Sequence, residues 1–177
     1  MEAPDEELML AYRDGNAGAF ETLYARHRAR LYRFVLRSVK SRPAGEELFQ
    51  EIWLRVIEAR GRYSPQARFT TWLYTIAHNH LVDHWRKRGL TQVALEGDEA
   101  PGASPDPADQ AQARQSLERF ATALEGLPAL QREAFLLHEE GELSIAEIAA
   151  ATGSNEEAAK SRLRYAMAKL KAAISDG

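Results

Sequence analysis

Residues 143–174 read LSIAEIAAATGSNEEAAKSRLRYAMAKLKAAI, and this stretch carries more information than any other in the chain. It divides into two short helices at Gly153, where a left-handed backbone ends a helix without steric cost. Ser144 with Glu147, and Ser154 with Glu157, each fit the S-x-x-E capping box, so each predicts a helix start. On the second helix Ala159, Leu163, Ala166, Leu170 and Ala173 recur at helical spacing and predict the buried stripe. Lys160 and Arg164 then fall on one flank of the exposed face, Arg162 and Lys169 on the other. Glu157, Ala158, Ser161 and Ala168, small or polar, lie between the flanks. Such a helix suits the major groove: cations reach the phosphate walls while small residues let the axis approach the bases. A solvated basic helix closing a small bundle would show a similar pattern.

The composition sets wider bounds. The chain has 177 residues, 45% hydrophobic and 28% charged, values ordinary for a globular protein. Without cysteine it has neither disulfides nor thiolate metal sites. MEAPDEELML is acidic where a secretory leader would be basic, and no apolar run approaches the roughly 18 residues of a membrane span. A cytoplasmic protein with no membrane association of its own is expected. The net charge of −3 is distributed unevenly. Residues 1–95 hold 15 Lys and Arg against 11 Asp and Glu; residues 96–177 hold 8 against 15, mostly within 96–109 and 133–147. Weak DNA binding by the isolated protein is the expectation, with a partner needed to place it.

Glu96 to Asp109, EGDEAPGASPDPAD, contains three prolines, two glycines and five acids, and reads as an extended, self-repelling linker. Domains are therefore expected at 1–95 and 113–177, joined by a flexible acidic linker at 96–112. No alternating apolar run argues for a sheet, so the fold class is all-α. In the first domain, helices are predicted over 5–14, 17–39, 44–59 and 69–88. The third has an apolar face (Leu48, Phe49, Ile52, Trp53, Val56, Ile57) and an opposite stripe of Glu47, Gln50, Glu51, Leu54 and Glu58. A leucine within an acidic exposed stripe could dock a protein, although single exposed leucines are common.

The long helix FTTWLYTIAHNHLVDHWRKR has an inner side of Phe69, Leu73, Ile76, Ala77 and Leu81 and an outer stripe of Thr75, Asn79, Val82 and Arg86. It ends in the triplet Arg86, Lys87, Arg88. With the preceding loop it interleaves aromatics and cations (Tyr63, Arg68, Trp72, Trp85), the combination that captures a single strand by stacking on bases and holding the backbone. Core packing explains aromatics at helical spacing equally well. His80 and His84 share one side of this helix as zinc ligands do, but Leu81, Val82 and Asp83 between them lack the glutamate of a metalloprotease helix. No metal or cofactor is expected, and nothing suggests a catalytic site.

The order of these elements resembles a known family. AGEELFQEIWLRVIEARGRYSPQARFTTWLYTIAHNHLVDHWRKR is similar to region 2 of an extracytoplasmic-function (ECF) sigma factor, in the sigma-70 family of bacterial RNA polymerase. LPALQREAFLLHEEGELSIAEIAAATGSNEEAAKSRLRYAMAKLKAAI is similar to region 4. The resemblance implies two small helical domains that bind core RNA polymerase and direct promoter recognition and melting. It implies docking of Glu47, Gln50, Glu51 and Leu54 on the β′ clamp coiled coil. It assigns the loop Tyr63, Ser64 to Arg68, with Trp72, Asn79, Asp83, Arg86, Lys87 and Arg88, to the melted −10 element. The duplex −35 element falls to Ser154, Glu157, Ala158, Lys160, Ser161, Arg162, Arg164, Tyr165 and Lys169, while the helix around 130–137 would touch the β flap. An anti-sigma factor is the further partner implied.

Some positions depart from the family's habit. Glu47 stands where aspartate is usual, Tyr165 and Met167 where arginines are common, and Ala158-Ala159 where threonine and valine are, so the −35 preference is left open. The alternative class is a stand-alone helix-turn-helix regulator that binds duplex DNA as a dimer without polymerase. A non-DNA adaptor bundle would explain the helices but not the basic one.

Overall fold

The structure is a computed structural model and describes residues 2–90, 92–97 and 113–175. Among the described residues every regular element is helical. The first domain holds α1 (Asp5–Arg13), α2 (Ala17–Ser38), α3 (Arg42–Ala59), a 3-10 turn (Arg60–Arg62) and α4 (Phe69–Lys87). A short α5 (Gln92–Glu96) leads out of it, and α6 (Ala113–Gly126), α7 (Ala129–Glu139), α8 (Ile145–Thr152) and α9 (Glu156–Ser175) form the second. Several of the helices begin where a local side chain accepts from free amides. Asn16 accepts from the Ala19 amide at 3.2 Å, Ser41 from Ala44 at 3.4 Å, and Ser144 with Glu147 forms the expected capping box.

The second expected box does not form. Helix α9 begins one residue later, and Asn155 Oδ1 accepts from the Ala158 amide at 2.8 Å. The Ser154 hydroxyl pairs instead with Thr152 Oγ1 at 2.9 Å. Asparagine equals serine as an N-cap, so the pattern S-N-E-E offered two starts and the sequence spacing alone favoured the wrong one. Gly153 does adopt the left-handed conformation, with φ of 64°.

Helices α1 to α4 bury Phe34, Ile52, Phe69, Leu73 and Leu81; α6 to α9 bury Leu124, Leu130, Leu137, Ile148, Leu163 and Leu170. The predicted stripe of α9 is buried at all five positions. The two domains also pack against each other. Helix α8 lies along α4, α7 against α2, and α5 against α7. Leu95 of α5 is buried, and Gly97, with φ of 79°, brings the backbone so close to Pro128 that a Cβ there would stand 2.3 Å from its ring. The expected linker therefore begins inside a packed segment at 96–97, and its residues 98–112 lie outside the described residues.

The seam between the halves is apolar in part, since buried residues of both belong to one hydrophobic cluster, and polar contacts run through it. Tyr74 of α4, set edge-on to Phe34 at 5.2 Å, reaches Gly141 in the α7–α8 connection. His78 Nδ1 lies 2.7 Å from Glu133 Oε2 with both side chains buried. The Ser38 carbonyl, at the end of α2, accepts from Trp85 Nε1 at 3.2 Å and from Arg132 at 3.0 Å. Arg132 also donates to the Glu125 and Leu127 carbonyls, closing the end of α6. Arg132→Ala is expected to strand these acceptors and lower stability by about 2–3 kcal/mol, read as a reduced midpoint in urea unfolding.

Candidate nucleic-acid interface

Helix α3 turns Glu47, Gln50, Glu51 and Leu54 outward together because Leu48, Ile52, Trp53 and Val56 fill its other side. Leu54 is 58% exposed, high for a leucine in a helix. Helix α4 flanks this stripe: His80 Nδ1 lies 3.9 Å from Glu51 Oε2. Burial holds the His84 imidazole below the usual histidine range, Arg88 and Lys87 add to the effect, and Glu47 and Glu51 oppose it. His78 faces Glu133 instead, away from His80 and His84, which lie toward the α3 stripe. Among the described residues no group of three or more His, Cys, Asp or Glu is placed to hold a metal ion.

On α4, Ser64 and Arg68 at its approach and Asn79, Asp83, Arg86, Lys87 and Arg88 along it are exposed. Trp72 is half-buried. Arg68, Trp72, Asn79, Asp83 and Arg86 follow one another at helical steps of three, four and seven, so a single outward stripe carries them. Tyr63 requires a correction: its ring is 2% exposed and packs edge-on to Trp72 at 5.2 Å. It props the loop from beneath and offers no face to a base. Burial pushes its hydroxyl up to about 12, with Glu6 and Asp5 adding to the shift. Arg68 differs from expectation in another way. Its guanidinium lies 3.3 Å from both Glu147 oxygens, and Thr71 Oγ1 donates to the same carboxylate at 3.1 Å.

In the second domain Glu157, Lys160 and Arg164 are exposed; Ser154, Ala158, Ser161, Arg162, Tyr165 and Lys169 are half-exposed. The Arg164 guanidinium lies over the Tyr165 ring, 5.4 Å from its centre. Helix α9 packs on α6, α7 and α8, which leaves its cationic face outward. Helix α7 is the more enclosed element: Gln131, Arg132 and Glu133 are buried along with its apolar residues, since the first domain covers its polar side. What α7 and α9 leave open is an apolar groove lined by Phe135, Met167, Leu170 and Ile174.

An acidic stripe, a long helix with an aromatic-cationic start and a helix-turn-helix thus share one chain in fixed order. Residues 23–91 match the family model of Sigma-70 region 2, and residues 117–170 match that of Sigma-70, region 4. The RNA polymerase sigma factor CarQ of Myxococcus xanthus is 37% identical over 95% of this chain and 96% of its own. The chain is an extracytoplasmic-function sigma factor. The ECF RNA polymerase sigma factor SigF of Caulobacter vibrioides is 33% identical over 92% of this sigma factor and 89% of its own length. Among solved structures, CnrH in complex with the cytosolic domain of CnrY superposes with a TM-score of 0.70 at 26% identity, covering 95% of both chains. RpoE of Bartonella quintana, in complex with the anti-sigma factor NepR, shares the fold with a TM-score of 0.68 at 24% identity, over 88% of this chain and 96% of that one. No helix among the described residues of the sigma factor is long and apolar enough to cross a membrane.

Glu147 and Glu6 were the residues that sequence reading missed at this surface. Glu147 was visible only as a capping-box acid; its contact with Arg68 joins residues 79 apart. Burial alone would raise the Glu147 carboxyl, but bonds from the Ser144 amide and hydroxyl, the Thr71 hydroxyl and Arg68 hold it below the usual carboxylate range. Only the Thr71 and Arg68 bonds cross the domains, so their share of the lowering favours the packed form while the carboxyl is charged and is lost as pH falls through its folded value. The chain has no cysteine, so dyes on Arg62→Cys and Glu156→Cys would report the separation of the domains. The domains should part on acidification. Glu147→Gln keeps the capping box and loses the charge, so it should be looser at neutral pH and change less in acid.

Proposed function

We propose that the exposed α3 stripe Glu47, Gln50, Glu51 and Leu54 docks this sigma factor on the β′ clamp coiled coil of core RNA polymerase. The outward stripe of α4 then meets the −10 element, with Ser64, Arg68 and Trp72 at the base-capturing end. Asn79 and Asp83 face bases, and Arg86, Lys87 and Arg88 hold phosphates. Helix α9 enters the −35 major groove with Lys160, Arg162, Arg164 and Lys169 on the walls and Glu157, Ala158 and Ser161 toward the bases. The apolar groove of Phe135, Met167, Leu170 and Ile174 is the surface left for the β flap. The observation that carries this reading is the pair of neighbouring outward stripes, acidic with a leucine on α3 and aromatic-cationic on α4. A stand-alone regulator needs neither.

Unpairing promoter bases costs a few kcal/mol per step, which two small domains with few cations cannot supply alone. Polymerase supplies it by holding both domains, so that the second element binds at high effective concentration. The packed form is not the promoter-bound one. Elements roughly 25 base pairs apart are about 85 Å apart along B-DNA at about 3.4 Å per pair. A compact chain of this length has a radius of gyration of only about 16 Å. The domains therefore separate when both elements are bound. The factor performs no chemistry; RNA synthesis belongs to the core enzyme. CnrH, similar over its whole length, is seen with CnrY, and an anti-sigma factor is proposed as the partner that holds this chain in the packed form.

Titration of labelled protein against purified core polymerase tests the docking face. Wild type should bind tightly, and Gln50→Lys with Glu51→Lys should lose binding while keeping its circular dichroism; unchanged affinity would remove the proposed stripe. For the second domain, Arg162→Ala should weaken −35 duplex binding by the holoenzyme and lower its log-log salt slope by about one unit. An unaltered slope assigns Arg162 elsewhere.

A further inference from the structure

We infer that Glu6, on a helix outside the segment matching the region 2 model, is a positioning residue for the −10 end of α4. The inference rests on the −10 reading proposed above. Helix α4 starts without help from its own neighbourhood, since its N-cap Arg68 makes no side-chain capping bond. The Phe69 amide, one of the orphan donors of that first turn, instead donates to Glu6 Oε2 at 3.1 Å, across 63 residues. The rest of α1 is built to hold Glu6 there. Asp5 takes Arg26 at 3.0 Å and His27 at 2.8 Å, Met9 is fully buried, and the His27 ring lies 5.3 Å from that of Phe69. Further along α1, Arg13 donates to the Tyr63 carbonyl at 3.3 Å, so one helix pins both ends of the loop that presents Ser64 and Arg68.

Two carboxylates serve this helix start in the packed form: Glu147 on Arg68 and Thr71, and Glu6 on the Phe69 amide. They differ in what becomes of them. Glu147 belongs to the second domain and leaves when the domains separate across a promoter. Glu6 belongs to the same domain as α4 and stays. It is then the remaining side-chain cap on the turn that aims Arg68 and Trp72 at the unpaired strand. Without it that turn frays, while the distant end carrying Asn79, Asp83 and Arg86 keeps its geometry.

The test uses full-length protein assembled with core polymerase, on a promoter recovered by in vitro selection with the wild-type holoenzyme. Glu6→Ala should slow −10 opening, followed by permanganate reactivity, by about fivefold, the factor that one lost cap corresponds to. Core affinity and −35 duplex binding should stay within about twofold, and hydrogen exchange should rise at the amides of residues 69–72. Glu6→Gln, whose amide oxygen accepts the same bond, should open at the wild-type rate. Glu6→Asp keeps the charge but withdraws the oxygens by one methylene, and should open slowly. Wild-type opening in Glu6→Ala, or a parallel fall in opening, core affinity and −35 binding, would overturn the inference. Arg68→Ala separates the two possible failures. If it slows opening and Glu6→Ala does not, the −10 site stands and Glu6 is not its positioner; if neither does, the −10 reading falls and the inference falls with it.

Discussion

Opposite charges face each other across the seam between the two domains, and the packed arrangement depends on that match. Arg30, Arg33 and Arg37 repeat along one side of α2; Arg30 meets Glu142 at 2.8 Å, and Arg33 and Arg37 share Glu140 at 3.1 and 2.8 Å. Arg68 meets Glu147 at 3.3 Å, and His78 meets Glu133 in a buried contact at 2.7 Å. In the four arginine–carboxylate pairs the cation comes from the first domain and the acid from the second, while Arg132 of the second domain crosses the other way to the Ser38 carbonyl. The uneven charge distribution of the sequence, basic before residue 96 and acidic after it, has this seam as one of its physical causes.

A seam of this kind sets the register of packing more than its strength. Half-exposed ion pairs contribute about 0–1 kcal/mol each and weaken in salt, and a buried pair repays its desolvation only in part. These weak ion pairs leave part of the seam polar, and the promoter-bound arrangement proposed above requires the seam to open.

Most of the fold was legible because its signals are local. The α9 stripe, the Ser144–Glu147 box, the left-handed Gly153 and the two faces of α3 all depend on residues within a few positions of one another, and each appears where the periodicity placed it. What failed was either a near-tie or a long-range effect. Ser154 lost the cap to Asn155 because two good capping residues are adjacent. Tyr63 looked like a stacking aromatic, and only the approach of α1 and Trp72 makes it a core residue. The buried His78 is the counterpart case. Its partner is 55 residues away, so sequence showed a polar residue near an inner face but not the Glu133 that satisfies it.

The same long-range contacts change what the cation count means. Read along the chain, Arg68 is a charge available to a phosphate backbone. In the packed form its guanidinium lies on Glu147, and the α2 arginines lie on Glu140 and Glu142. Binding a strand at Arg68 must then displace an intramolecular carboxylate as well as counterions, which lowers the affinity of the closed protein below what its exposed cations suggest. In the promoter-bound arrangement proposed above, separation of the domains removes that competitor, so one set of residues predicts weak binding by the isolated protein and tighter binding by the assembled one.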